Sequence, residues 1–163
     1  MTLKEKLLKT LDETHARLSV SEIAAHVGEP EGQVEAALME LEADKVICGY
    51  NAIIDWDRVG EEKVTALIEV KVSPQRGVGF DRIAARIAKL EEVDSVYLIS
   101  GGFDFLVELR GKSMKEVSQF VFDKLSTLDT VVSTATHFVL KKYKDHGVVV
   151  GGKPSITREK VVL

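Results

Sequence analysis

The stretch Leu18–Asn51, LSVSEIAAHVGEPEGQVEAALMELEADKVICGYN, decides how the N-terminal part of this 163-residue chain is read. Val20, Ile23, Ala24 and Val27 stand at i, i+3, i+4 and i+7, so they share one face of a short helix. Ser19 or Ser21 suits its N-cap, Ser19 and Glu22 have capping-box spacing, and Gly28 ends it. Pro30 suits the first turn of a further helix, where a missing N–H costs nothing. Val34, Ala37, Leu38 and Leu41 repeat the apolar spacing. Two short helices across a tight, glycine-containing turn make a helix-turn-helix. From Val46 to Ile54 the residues become β-rich, and Gly49 and Asn51 suit a hairpin, so the spacing predicts a β-wing. Upstream, Leu3, Leu7, Leu8 and Leu11 predict a helix over Leu3–Glu13.

The charge of this stretch opposes its pattern. Glu29–Asp44 holds six carboxylates and no Lys or Arg. Residues 1–60 carry 6 Lys and Arg against 12 Asp and Glu, a net of −6, whereas residues 61–163 carry 16 against 14, a net of +2. The overall −4 therefore belongs to the N-terminal part, which does not suit non-specific binding to polyanions. Cys48 is the single cysteine, so no intrachain disulfide forms, and it is expected to be a small buried hydrophobe. No apolar run approaches the roughly 20 residues that span a bilayer. MTLKEKLLKTLDE is charged throughout, unlike a signal peptide. The expectation is a cytoplasmic protein with no membrane partner.

The second half changes period. Val64, Ala66, Ile68, Val70 and Val72 alternate with Thr65, Glu69, Lys71 and Ser73, which predicts a half-buried strand. Ser73–Gly79 is a loop. Phe80, Ile83, Ala84, Ile87 and Leu90 predict a helix. Asp94–Gly101 and Phe103–Arg110 predict two strands joined at Gly101-Gly102. Met114, Val117, Phe120, Val121 and Leu125 predict a second helix, and Val131–Lys142 a last strand. The order β-α-β-β-α-β is ferredoxin-like: four antiparallel strands with helices on one face. Thr134, Thr136, Phe138 and Leu140 share one side of the last strand and are expected to meet a partner sheet from a second chain. The fold class is α+β. The domains are a winged helix-turn-helix (1–54), a linker (55–62) anchored by Trp56, a ferredoxin-like domain (63–146) and a tail (147–163). The tail either pairs as an edge strand or stays without a fixed partner.

Four groups of residues now line up with a known pattern. They are Arg17-Leu-Ser…Glu22-Ile-Ala…Val27-Gly28; Leu41-Glu42…Val46-Ile-Cys-Gly-Tyr-Asn-Ala52…Asp55…Gly60; Gly101…Phe103-Asp104-Phe105; and Thr134-Ala-Thr136…Leu140-Lys141. Each is weak alone. In this order and at these separations the chain resembles the Lrp/AsnC, or feast/famine, regulators of bacteria and archaea over about Leu3–Lys144. The resemblance implies a DNA-binding transcriptional regulator that responds to an amino acid or related small metabolite. It further implies dimers formed sheet to sheet that assemble into tetramers or octamers. The third helix departs from the family, which places Ser or Thr and basic residues there. Here stand Pro30-Glu31-Gly32-Gln33, with Ala37 and Glu40 at positions the family fills with cations.

Candidate sites follow. For double-stranded DNA they are Gln33, suited to bidentate contact with a base edge, and Arg17 and Lys45 for phosphates. For an effector they are Gly101, Gly102 and Asp104, with Thr134 and Thr136 near the effector cleft that the resemblance implies. Glycine lets a ligand approach the backbone, and a carboxylate can hold an α-ammonium. The bland reading of Ser100–Asp104 is a hairpin turn, with Gly supplying φ > 0 and Asp capping amides. The bland reading of Thr134 and Thr136 is that of β-formers. The histidines His15, His26, His137 and His146 show no metal-ligand spacing, so neither a metal nor a cofactor is expected. Gly77-Val-Gly79 is too short for a phosphate cradle. Two alternatives stay open. One is a ligand-sensing or assembly protein that keeps the fold and has lost DNA binding through its acidic third helix. The other is an enzyme, since sirohaem decarboxylases share the two-domain plan and Arg76, Arg82, Arg86 and Arg110 are available; the reading adopted is not an enzyme.

Overall fold

The computed structural model of the chain describes residues 1–14, 17–61, 63–73 and 79–151. His15, Arg76, Gly77 and the tail beyond Gly151 lie outside the described residues, as does most of the loop expected at Ser73–Gly79. Among the described residues no helix is long and apolar enough to cross a membrane. Two compact units result: Met1–Ile54 with His146–Val148, and Asp55–Asp145 with the segment from Val149.

In the first unit three helices, α1 (Leu3–Glu13), α2 (Val20–Val27) and α3 (Glu31–Ala43), enclose Leu7, Ile23, Ala24, Val34, Ala37, Leu38 and Leu41. These are the residues whose spacing predicted the helices. Ser19 caps α2 by accepting from the Glu22 amide, and the Glu22 carboxylate accepts from the Ser19 amide at 2.7 Å. An equivalent box, Thr2 with Glu5, opens α1 and was not singled out from sequence. Gly28 ends α2 at φ 73°, a left-handed conformation that disfavours any residue with a Cβ. Pro30 sits one residue earlier than expected, as the N-cap of α3 with extended backbone.

Two expectations for this unit fail. Val46–Ile54 forms no strand. The Val46 and Ile47 amides donate instead to the Leu41 carbonyl, which folds the chain back over the end of α3. Only Ile47 of this stretch joins the core. Cys48 is exposed rather than buried, since the apolar neighbour that suggested burial is the residue that turns inward.

The second unit opens with one turn, α4 (Trp56–Val59), ended by Gly60 at φ 77°. Lys63 Nζ lies 3.2 Å from the centroid of the Trp56 ring. Then follow β1 (Val64–Val72), α5 (Phe80–Ile87), β2 (Val93–Leu98), β3 (Phe105–Gly111), α6 (Met114–Phe120, continued by wider π-type turns to Leu125) and β4 (Val131–Phe138). The sheet order is β2-β3-β1-β4, all antiparallel, which is ferredoxin-like. Ala66, Ile68, Val70, Phe105, Val107 and Leu109 face α5 and α6 and meet Ile83, Ile87, Val117, Phe120 and Leu125. Past the sheet, β5 (Lys144–Asp145) and β6 (Val148–Val149) form a short hairpin.

The register of β4 corrects the expected partner face. Thr134, Thr136 and Phe138 pair with Val70, Ile68 and Ala66, so they lie on the side the helices cover, and Phe138 packs against the core. Leu140 lies beyond the strand and is 89% exposed. The uncovered face carries the alternate residues Ser133, Ala135 and His137, beside Leu67 and Glu69 of β1. Alternation shows that a strand has two sides; only its pairing shows which side the helices take.

Candidate functional site

Two surfaces hold the predicted site residues. On the first unit, the buried positions of α3 fix its outward sector by the 100° step of a helix. That sector is Gly32, Ala36, Met39 and Ala43, all exposed, with Gln33 and Glu40 along one edge and Glu35 and Glu42 along the other. Ala37, the position matched to a family arginine, is buried and could not present a side chain outward. Gln33 is exposed in the first turn, the end of a recognition helix that approaches bases. Lys45 is exposed past the other end, at φ 57°, and roughly 15 Å of helix axis runs from Gln33 to the last helical residue, Ala43. Arg17 is exposed ahead of α2.

The three lysines of α1 are occupied. Lys4 bridges Glu40 at 2.7 Å, Lys6 bridges Glu29 at 3.0 Å, and Lys9 reaches Glu13 at 3.7 Å. Tyr50 donates to Glu42 at 2.7 Å, and partial desolvation, followed by that carboxylate, raises its hydroxyl above the usual phenol range. Glu31 and Glu35 remain exposed with no ion pair among the described residues.

The second surface is the end of the sheet where β1 finishes and β3 begins. Asp104 is tied to β1 twice: its amide donates to the Val70 carbonyl at 3.0 Å, and its carboxylate accepts from the Val72 amide at 2.8 Å. Its own carbonyl accepts from Ile99 at 2.8 Å, which closes the turn between β2 and β3. The carboxylate is therefore a structural anchor with one oxygen engaged, and any ligand contact would share it. Gly101 and Gly102 are exposed, and neither has a positive φ. A Cβ on Gly102 would meet nothing within 4 Å, and one on Gly101 only Ile99 Cγ2 at 3.6 Å. Neither backbone conformation nor space requires glycine here, which removes φ > 0 as the reason for the pair. Thr134 pairs with Val70 on the flank opposite Phe105, so it shares this end of the sheet with Asp104. Thr136 lies deeper, opposite Ile68, and both threonines are half-buried.

Sequence reasoning missed the ionic pattern of the uncovered sheet face. His137 Nε2 lies 3.2 Å from Glu69 Oε1 across β4 and β1, and Lys142 reaches Glu108 at 4.0 Å and Asp145 at 3.1 Å. Alternation put Glu69 on this face, but its partner is visible only from the β1–β4 register. Among the described residues no group of three His, Cys, Asp or Glu side chains could hold a metal.

Comparisons with known proteins converge on one family. The Lrp/AsnC ligand binding domain model matches residues 65–149. The chain is 54% identical to an uncharacterised HTH-type transcriptional regulator, YugG of Bacillus subtilis, over 91% of this chain and 92% of that one. It is 31% identical to a proline dehydrogenase transcriptional activator of Rhodobacter capsulatus, over 78% and 82% of the two chains. A Neisseria meningitidis transcriptional regulator, solved as a complex with L-Met, matches with TM-score 0.66 and 26% identity over 89% and 93%. The Mycobacterium tuberculosis leucine response regulatory protein matches in fold, with TM-score 0.70 and 23% identity over 90% and 97%. A helix-turn-helix unit followed by a four-stranded sheet under two helices, together with these likenesses, makes this chain a member of the Lrp/AsnC family of transcriptional regulators.

Proposed function

We propose that this protein is an amino-acid-responsive DNA-binding regulator of the cytoplasm, with Gln33 reading bases, Arg17 and Lys45 touching phosphates, and the Gly101–Asp104 turn receiving the effector. The observation that carries the effector assignment is the exposed glycine pair, whose conformations do not require glycine, on a turn bolted to β1 through Asp104. Bare backbone amides there can meet an α-carboxylate, and the free lone pairs of Asp104 an α-ammonium; Thr134 stands on the same end of the sheet. The L-Met complex of the Neisseria relative supports an amino acid as the class of ligand.

The uncovered sheet face, with Leu67, Leu106, Ala135 and the Glu69–His137 pair, serves as the dimer face. Tetramers or octamers then multiply the few cations of the acidic reading heads. An effector shifts such an assembly only by binding one state more tightly than another. The domains run 1–54, 55–62 and 63–146, with 147–163 as a tail.

The test is fluorescence anisotropy on the gene's own upstream fragment, over a salt series, with and without single amino acids. Binding that weakens with salt, and that one amino acid changes in the wild type but not in Asp104→Ala, is the expected result. No binding at low salt would instead favour a sensing protein that keeps the fold without DNA, the reading that exposed Glu31 and Glu35 favour.

A further inference from the structure

One flank of the outward side of α5 is cationic. Ile83 and Ile87 point into the core, so Ala85 lies opposite them, with Arg82, Arg86 and, in the following turn, Lys89 along one flank. All four are exposed, and none of the three cations is ion-paired among the described residues. Two nearby carboxylates are already held elsewhere, Glu92 by Lys124 and Asp94 by Arg110 at 2.8 Å, whereas Asp81, exposed on the other flank of the outward side, and exposed Glu91 have no ion pair among the described residues. Arg82, Arg86 and Lys89 stand at i, i+4 and i+7, a stripe about 10 Å long.

We propose that this α5 stripe is a second DNA contact, which holds the phosphate backbone of duplex lying outside the sequence that α3 reads. The inference rests on the DNA-binding reading above and assigns it a surface that the helix-turn-helix does not provide. Duplex DNA carries one negative charge per about 1.7 Å of axis, so the stripe faces several phosphates. Protein partners are anchored by buried aromatic or aliphatic side chains, and this sector offers only Ala85 among its cations. Anionic membranes are held through an apolar face, and that face of α5 is already in the core. The opposing charge in the N-terminal unit supplies the need: Lys4, Lys6 and Lys9 are bound to carboxylates.

The experiment compares wild type with Arg82→Gln/Arg86→Gln/Lys89→Gln on two duplexes: a long upstream fragment and the shortest fragment that footprinting protects. On the long fragment the triple variant should lose affinity roughly tenfold or more at 0.1 M salt, and the slope of log affinity on log salt should fall by about 0.9 for each phosphate contact removed. On the short fragment it should match wild type, and Arg82→Lys/Arg86→Lys should keep most of the slope on both. Equal slopes on the long fragment overturn the proposal. So does an equal loss on both fragments, or a change of assembly mass without DNA, which would make the stripe a docking surface for a second copy. If wild type binds neither fragment, the DNA reading itself falls; if it binds both and the triple variant matches it throughout, only the α5 contact falls. Circular dichroism and melting of the variant check that these exposed substitutions leave the fold intact.

Discussion

The helical unit and the sheet unit dispose of their charge in opposite ways. In the first, Lys4, Lys6 and Lys9 lie against Glu40, Glu29 and Glu13, while Glu31 and Glu35 on α3 stay bare. In the second, several carboxylates are paired, Glu69 with His137 and Glu108 with Lys142 among them, and among the described residues Arg82, Arg86 and Lys89 of the α5 region, like Asp81 beside them, have no ion pair. Shape and field are thus separated. The unit with the shape to enter a groove is net negative, and the unpaired cations of α5 belong to a unit that has no reading helix. On the proposed α5 contact, a duplex would obtain register from one unit and added electrostatic attraction from the other.

The largest test asks whether the two units also stand apart in stability. Phe105 and Leu7 are fully buried in separate cores. Phe105→Ala should cost about 3–5 kcal/mol and Leu7→Ala about 2–5 kcal/mol. Calorimetry should show each substitution lowering one transition and leaving the other; a single transition lowered by both would join what the two cores divide.

Next comes the anchor of the β2–β3 turn. Asp104→Ala leaves the half-buried Val72 amide without its acceptor, which costs about 1–3 kcal/mol. Urea denaturation should show the loss in the sheet unit alone. Asp104→Asn keeps an acceptor oxygen and should recover most of that stability while leaving any amino-acid response impaired.

The charge contrast can be sharpened directly. Glu35→Lys places a cation beside the outward sector of α3, so the salt slope of DNA binding should steepen by about 0.9 if the new side chain meets a phosphate. An unchanged slope would show that this edge of α3 never approaches the duplex.

The smallest effect concerns the α2 cap. Ser19→Ala should cost about 1 kcal/mol of stability in the helical unit, read from its urea midpoint. The hydrogen bonds from the Ser19 backbone and then its hydroxyl hold Glu22 below the usual carboxylate range. A lowered folded-state value means that its contribution is complete above that range and is lost as the pH falls through it. The wild-type advantage over Ser19→Ala should therefore shrink in acid and hold at neutral pH.

Helices and the sheet order were legible because each rests on local spacing. Leu3–Glu13 was bounded by its leucines, and the alternation from Val64 to Val72 fixed β1. What stayed hidden depends on pairing between distant residues. The uncovered sheet face follows from the register of Thr134 on Val70, and the cap on β1 from the bond of Asp104 to Val72, 32 residues apart. The wing was read from β-propensity, which says nothing about whether a hairpin has anything to bury. The α5 stripe was visible as arginines, but not as unpaired ones, until Lys124 and Arg110 were seen to occupy the neighbouring acids.

The double attachment of Asp104 has a mechanical corollary. Because its amide and its carboxylate grip β1 at Val70 and at Val72, the turn and the strand terminus move as one rigid piece. A molecule settling on Gly101 would therefore lever the middle of the sheet, not merely reshape a loop. Through the Val70–Thr134 pairing, that displacement would arrive at the edge strand without any new contact being made.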